Sequence, residues 1–218
     1  AAANGVDLKI IGIYSRAPKA FTIMTKADGI NSIKDLKGKK IAGPKGTILH
    51  QLLLAALSQN QMSIDDVEYI NMSIPQAVTA MNSGNVDAAL VAGSPVLQAL
   101  DAGARILSTG EGLLDATIVI AVRGEFLREH PDLVKRYMDV HYRSLEYMKE
   151  HPEEVYKMAA EETEMSRENV VTMYEWYDFN PEITERDIEE LEKTQDFLLE
   201  NDMLEHPIDI SDIIVDKL

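Results

Sequence analysis

The segment from Lys40 to His50 combines residue types that can hold an anion. It reads KIAGPKGTILH, so an apolar run ends at Gly43, a turn follows, and a helical pattern begins near Thr47. The first N–H groups of a helix lack acceptors within the helix, and the helix dipole places partial positive charge there. The spacing is not that of a Walker A phosphate loop, and an ordinary strand–turn–helix junction with a capping Thr is the alternative interpretation. We select four candidate ligand-binding residues in this segment: Pro44, Lys45, Gly46 and Thr47.

Two further positions follow apolar runs that are typical of strands. Ser94 precedes Pro95, an arrangement that favours a helix N-cap followed by proline at the first helical position. Ser15 and Arg16 follow the run Leu8–Tyr14, and the carboxyl ends of strands face the ligand crevice in open α/β sheets. The guanidinium of Arg16 can hold an oxyanion through two parallel hydrogen bonds. The alternative interpretations are that Ser94 serves only as a helix cap and that the Arg16 side chain is solvated at the surface.

Residue patterns typical of catalysis are missing from the sequence. The chain has no cysteine, which excludes disulfides, thiolate metal sites and cysteine nucleophiles. Its five histidines show no HExxH or comparable metal spacing, and there is no GxSxG nucleophile motif. We therefore assign no catalytic residue, no metal site and no cofactor, and we expect a protein that is not an enzyme.

The elements that position these candidates alternate in type up to Arg123 and are helical afterwards. Short apolar runs bounded by turn residues predict strands, and apolar residues spaced three or four apart predict helices. The alternation predicts βαβ units, a parallel or mixed sheet and an α/β fold class with a helical C-terminal region. The predicted strands are Leu8–Tyr14, Phe21–Lys26, Lys40–Ala42, Val67–Met72, Val86–Val91, Arg105–Leu107 and Thr117–Val122. The predicted helices are Ile33–Lys40, Thr47–Leu57, Ile74–Ser83, Pro95–Ala102, Pro131–Glu150, Pro152–Glu162, Arg167–Trp176 and Thr184–Glu200.

Size and charge narrow the class of protein further. The 218 residues are enough for one domain or two small lobes. The net charge of -16 is concentrated after Glu150, where acidic residues far outnumber basic ones, and it argues against nucleic acid or an anionic membrane surface as partner. The first 50 residues are instead rich in lysine, which favours a small anion as ligand. No apolar run is long enough to cross a membrane.

Several blocks of the sequence resemble a known family. They are IKDLKGKKIAGPKGT, AVTAMNSGNVDAALV and VRGEFLREHPDLV, and the first two are fairly specific. The chain resembles the solute-binding proteins of ABC importers, in the nitrate/sulfonate/taurine/bicarbonate group that is related to thiamine-precursor binders. The resemblance covers essentially the whole chain. It implies that the N-terminal part of the first lobe is missing. Where this chain has Ala92–Pro95, many relatives carry an aromatic residue, and the difference leaves the identity of the solute open.

The resemblance implies a type II periplasmic-binding-protein-like fold, with two lobes around a cleft and one lobe truncated. Residues 25–114 would form lobe 2, and residues 1–24 with 115–218 would form the partial lobe 1. The ligand-binding residues implied by position are Ser15, Arg16, Pro44, Lys45, Gly46, Thr47, Ser94 and Thr117.

The function implied is the capture of a small, anionic solute outside the cytoplasmic membrane, free or lipid-anchored, and its delivery to permease subunits. The alternatives are an enzyme on the same fold, of menaquinone-pathway or pyrimidine-precursor type, and the effector domain of a transcription regulator. The missing DNA-binding segment and the acidic helical tail argue against the regulator.

Overall fold

The computed structural model describes residues 2–201 and 203–215 and divides into two units. Unit 2 is the continuous segment Ala17–Ala116, and unit 1 combines the chain up to Arg16 with the chain from Thr117 onward. The strands are β1 (Leu8–Arg16), β2 (Phe21–Thr25), β3 (Lys40–Gly43), β4 (Glu68–Asn71), β5 (Ala88–Ala92), β6 (Arg105–Thr109) and β7 (Thr117–Arg123). The helices are α1 (Ile48–Gln59), α2 (Ile74–Asn82), α3 (Ser94–Asp101), α4 (Gly124–Glu129), α5 (Pro131–Glu150), α6 (Pro152–Thr163), α7 (Arg167–Tyr174) and α8 (Glu185–Glu200).

Unit 2 is built on a five-stranded mixed sheet in the order β4-β3-β5-β2-β6. Strand β3 pairs in parallel with both β4 and β5, whereas β2 pairs antiparallel with β5 and β6. Helix α1 packs one apolar face on this sheet, and its leucines Leu52, Leu53 and Leu57 are fully buried with Ile41 and Leu90. Burial of this face stabilises α1, since helices of this length are marginal in isolation.

Unit 1 contains a two-stranded antiparallel sheet, in which β1 pairs with β7 from Leu8 opposite Arg123 to Arg16 opposite Thr117. Helix α5 buries Val134 and Met138 against this pair. A Cβ atom on Gly12 would lie 2.9 Å from the Met138 methyl carbon, so the glycine permits this close packing. Helices α6–α8 complete the helical region, with ring contacts that join Tyr156, Tyr174, Tyr177 and Phe179.

The predicted fold class and each predicted strand and α-helix are found, with boundaries shifted by a few residues. The predicted helix at Ile33–Lys40 is a 3-10 turn at Ile33–Leu36. Helix α4 was not predicted, because its six residues are too few to show a period. The structure divides the chain after Arg16, whereas the expected lobe boundary follows residue 24. The reason for the difference is that β2 pairs with β5 and β6 inside unit 2.

None of the helices within residues 2–201 and 203–215 is long and apolar enough to cross a membrane.

Candidate functional site

The carboxyl edge of the unit 2 sheet gathers most of the predicted ligand-binding residues. Because β3, β4 and β5 run in parallel, their last residues Gly43, Asn71 and Ala92 lie at the same edge. The loop 44–47 follows β3, and Ser94 begins α3 after β5. Ligands of open α/β sheets bind at this edge, so the sheet order explains why these residues are brought together.

The loop 44–47 depends on two glycines with different roles. A Cβ atom on Gly43 would lie 2.6 Å from side-chain atoms of Leu90 on the neighbouring strand, so only glycine fits there. Gly46 has φ of +75°, a left-handed conformation that other residues adopt at a cost. The sequence KIAGPKGT therefore encodes both the end of β3 and the turn into α1.

Two of the loop's backbone amides are already engaged by side chains. The Lys45 N–H donates to Asn71 Oδ1 at 2.9 Å, and the Gly46 N–H donates to His50 Nδ1 at 3.4 Å. The Thr47 hydroxyl does not cap α1 but donates to the Pro44 carbonyl oxygen at 2.9 Å. Neither Lys45 nor Gly46 therefore has a free amide for a ligand.

Three amides at the start of α1 are free instead. Among the described residues, the N–H groups of Thr47, Ile48 and Leu49 have no acceptor. Thr47 is exposed, Ile48 is half-buried and Leu49 is buried, so the start of α1 is open to solvent on the side of Thr47 and Ile48. With the helix dipole and the ammonium group of the exposed Lys45 nearby in sequence, this helix start favours a bound negative charge.

His50 and Tyr69 form a layer next to this loop. Their rings stack with centroids 4.9 Å apart, and the Tyr69 hydroxyl donates to the Gly43 carbonyl oxygen at 2.8 Å. Burial, and then the positive charge of Lys45, lower the pKa of His50, while burial raises the pKa of Tyr69 to about 12. Both rings are therefore neutral near pH 7, and His50 Nδ1 can accept the Gly46 amide. The sequence analysis assigned His50 no role, although its position four residues after Gly46 in KGTILH was a signal for this contact.

Ser94 is the first residue of α3, not its N-cap. Gly93, with φ of +69°, is the N-cap and Pro95 is the second helical residue, so the sequence expectation is shifted by one position. The half-buried Ser94 hydroxyl makes no hydrogen bond with the described residues. It remains a candidate donor at the same sheet edge as the loop 44–47.

In unit 1, Ser15 and Thr117 lie at the paired ends of β1 and β7. Ser15 is fully buried, and the hydroxyls of both residues are buried without a hydrogen-bond partner among the described residues. An unpaired buried hydroxyl costs stability, so two at one sheet end are unusual. Both are candidate donors to a ligand.

Arg16 is engaged within unit 1, and its role as a ligand clamp stays a prediction. Its guanidinium donates to both carboxylate oxygens of Asp187, at 2.6 and 2.5 Å, and to Asp178 at 3.3 Å. It also donates to the carbonyl oxygens of Asn180 and Glu182, at 3.0 and 2.8 Å. These five bonds match the five N–H donors of an arginine, so none is left for a solute in this structure.

The arrangement in unit 2 is suited to bind an anion through backbone amides. No group of three or more histidine, aspartate or glutamate side chains that could hold a metal lies within the described part of the chain. An α/β fold with candidate ligand-binding groups at the carboxyl edge of its sheet is typical of proteins that bind small ligands. The chain belongs to the NMT1/THI5-like family, whose model matches residues 1–155.

Several known proteins are similar to this chain in sequence or in fold. A protein of Bacillus subtilis (strain 168), named for aliphatic sulfonate binding, is 32% identical over 97% of this chain and 65% of its own length. The taurine-binding periplasmic protein of Escherichia coli (strain K12) is 29% identical over 63% of this chain and 43% of its own length. The chain thus spans less than two thirds of these relatives.

Among solved structures, the periplasmic aliphatic sulphonate binding protein SsuA from Escherichia coli has a TM-score of 0.87 at 22% identity, over 98% of this chain and 75% of that chain. The desulfurization enzyme DSZB has a TM-score of 0.75 at 20% identity, over 95% of this chain and 76% of that chain. The fold is therefore shared by binding proteins and an enzyme.

Proposed function

We propose that this protein is the solute-binding component of an ABC importer and binds a small anionic solute of the sulfonate, taurine or nitrate type. The observation that carries the proposal is that three amides at the start of α1, on Thr47, Ile48 and Leu49, have no acceptor among the described residues. The names of the relatives, which refer to aliphatic sulfonates and taurine, support the choice of anion.

The proposed site uses neutral donors and one cation. A sulfonate presents three oxygens, which suits several convergent N–H and O–H groups. The free amides of α1 and the Ser94 hydroxyl supply these donors in unit 2, and Lys45 adds a positive charge. In unit 1, the Ser15 and Thr117 hydroxyls are separate candidate donors, tested independently by the substitutions Ser15→Ala and Thr117→Val.

The substitution Ile48→Pro tests the proposed role of the Ile48 amide directly, because proline has no backbone N–H to donate to an anion. Ile48 is the first residue of α1, where proline is favoured, and Thr47 before it is extended with φ of −115°. The helix should therefore form. Loss of a hydrogen bond to a charged group should weaken anion binding by about tenfold to a hundredfold, measured by calorimetric titration with taurine, alkanesulfonates and nitrate.

The matched control is Ile48→Ala, which shortens the same half-buried side chain and keeps the N–H. It should bind the anion as the parent does, even if its melting temperature falls. Equal affinities for Ile48→Pro and Ile48→Ala would contradict the proposed site. A panel in which no anion raises the melting temperature of the parent would contradict the proposed solute class.

The proposed location is outside the cytoplasmic membrane, free or lipid-anchored, with the permease subunits of the importer as partners. Support comes from relatives whose names call them periplasmic. The location is tested by fractionation of cells that express the natural protein, with the periplasmic or surface-exposed fraction expected to contain it.

An enzyme is the second candidate, because the desulfurization enzyme DSZB shares the fold. We propose binding without turnover, since the chain has no cysteine and the predicted site residues include no acid–base pair. Incubation with a sulfonic or sulfinic acid that binds, followed by an assay for released sulfite, separates the two. Sulfite release that is lost when Ile48 or Lys45 is substituted would favour the enzyme.

A further inference from the structure

The loop 44–47 is held by side chains from two neighbouring elements. From β4, Asn71 accepts the Lys45 N–H, and Tyr69 donates to the Gly43 carbonyl oxygen. The same carbonyl oxygen accepts the Met72 N–H at 3.0 Å. The last residues of β4 thus contact the loop both where it leaves β3 and at its centre.

Of these contacts, the one made by Asn71 is the most exposed and the most separable from folding. Asn71 is exposed to solvent, whereas His50 is only 4% exposed and stacks on Tyr69. Removal of the Asn71 amide group therefore changes one hydrogen bond and little packing. Removal of His50 or Tyr69 would also disturb the core beside α1.

The bond to Asn71 has a consequence for the amides that remain free. The Lys45 N–H is directed to Asn71 and the Gly46 N–H to His50. The N–H groups of Thr47, Ile48 and Leu49 are then the donors that have no acceptor in the part of the chain that the structure describes. If Lys45 were released, its amide would become available to solvent or to an anion, and the turn into α1 would lose one of its attachments to β4.

We propose that Asn71 is a positioning residue for the anion site: it fixes the loop 44–47 so that the free amides at the start of α1 converge on the solute. This inference rests on the proposed function for its ligand, but the fixation of the loop is a property of the protein alone. Asn71 itself does not contact the solute in this proposal.

The experiment measures two quantities on the full chain: hydrogen exchange of the Lys45 amide by NMR, and taurine and methanesulfonate affinity by calorimetry. In Asn71→Ala, exchange at Lys45 should rise about tenfold while the amides in the middle of α1 stay protected. Affinity for the anion that the parent binds should fall about threefold to tenfold.

The variant Asn71→Asp separates positioning from charge, because its carboxylate still accepts the Lys45 N–H. Protection of Lys45 should be restored, and any remaining loss of anion affinity should shrink as salt screens the new charge. The control Asn60→Ala removes a comparable bond, from Asn60 Nδ2 to the Ala56 carbonyl oxygen at 2.8 Å, at the other end of α1. It should leave both the Lys45 exchange and the affinity unchanged.

Unchanged Lys45 exchange in Asn71→Ala would overturn the positioning role, whatever the ligand data show. Faster exchange with unchanged affinity would overturn its connection to the solute. If the parent binds none of the anions while exchange responds as expected, loop fixation by Asn71 stands and the proposed function is the part that fails.

Discussion

Arg16 joins the end of β1 to the segment 178–187 through hydrogen bonds to two carboxylates and two carbonyl oxygens. Asp187 is fully buried, and its second role is to accept the N–H and the hydroxyl of Thr184 at the start of α8. A buried carboxylate needs such partners, because transfer from water to the protein interior otherwise costs several kcal/mol. Arg16 is therefore part of what holds unit 1 together.

The substitution Arg16→Ala should destabilise unit 1 by about 3–5 kcal/mol, because it leaves the Asp187 carboxylate buried and unpaired. The chain has one Trp, Trp176, which lies in unit 1, so urea unfolding followed by its fluorescence reports on that unit. The control Arg123→Ala breaks the exposed pair with Glu125 and should cost less than about 1 kcal/mol. Unchanged stability with weaker anion binding would instead restore Arg16 as a ligand clamp.

In the parent protein, low pH should remove the stabilisation that the pair of Arg16 and Asp187 gives to unit 1. Burial alone would raise the pKa of Asp187, but the hydrogen bonds from Arg16 and Thr184 outweigh it and hold the pKa below the ordinary value of 3.8. The stabilisation is thus fully present above that value and is lost as pH falls towards the lowered pKa. As the pH is lowered below about 4, the urea concentration at the unfolding midpoint should decrease more steeply for the parent than for Asp187→Asn.

At the scale of elements, the contact of β3 with β5 depends on the missing side chain of Gly43. The structure pairs Ile41 with Ala88 and Ala42 with Ala89, and it places Leu90 against the backbone of Gly43. The apolar runs predicted both strands, but no local pattern could indicate which residue of β5 faces Gly43.

The substitution Gly43→Ala should destabilise unit 2 by about 1–3 kcal/mol, the range for an overpacked core, since its Cβ would clash with Leu90. Leu90→Ala should cost about 2–5 kcal/mol because it leaves a cavity. The double variant should be more stable than the sum of the two losses implies. Leu90→Ala removes side-chain atoms with which the new Cβ at position 43 would clash, and that Cβ partly fills the cavity. Thermal unfolding of the four proteins measures this coupling, and simple additivity would contradict the contact.

At the scale of the whole molecule, the two units differ in how the chain builds them. Unit 2 is one continuous segment, and the cluster formed by Ile23, Leu36, Leu53 and Leu90 lies entirely within it. Unit 1 needs both parts of the chain, because β1 near the start pairs with β7 after unit 2. Contacts within unit 2 therefore do not depend on a segment from unit 1.

A chain of residues 17–116 should fold by itself, with dispersed amide resonances and a cooperative thermal transition, because its sheet and core are complete. A chain of residues 117–215, which lacks β1, is the counterpart and should not reach a cooperative fold, because β7 loses its pairing partner. An unfolded spectrum for residues 17–116 would contradict this view of unit 2.

The amino-acid sequence by itself determined the strands and the longer helices, the fold class and the position of the loop 44–47. These follow from local signals: apolar periodicity, the glycines and proline that end β3, and the helical pattern that begins after Thr47. The local signals also located Ser15, Ser94 and Thr117 at element ends, because strand and helix ends are visible in the same patterns.

Only the tertiary structure decided which groups at those positions are free. It paired Arg16 with Asp187 and placed Asn71 and His50 on the amides of Lys45 and Gly46. Within residues 2–201 and 203–215, it left the amides of Thr47, Ile48 and Leu49 without acceptors. The reason is that hydrogen-bond partners distant in sequence are set by strand order and helix packing. Those arrangements depend on how apolar surface is buried across the whole unit, which no local pattern of residues contains.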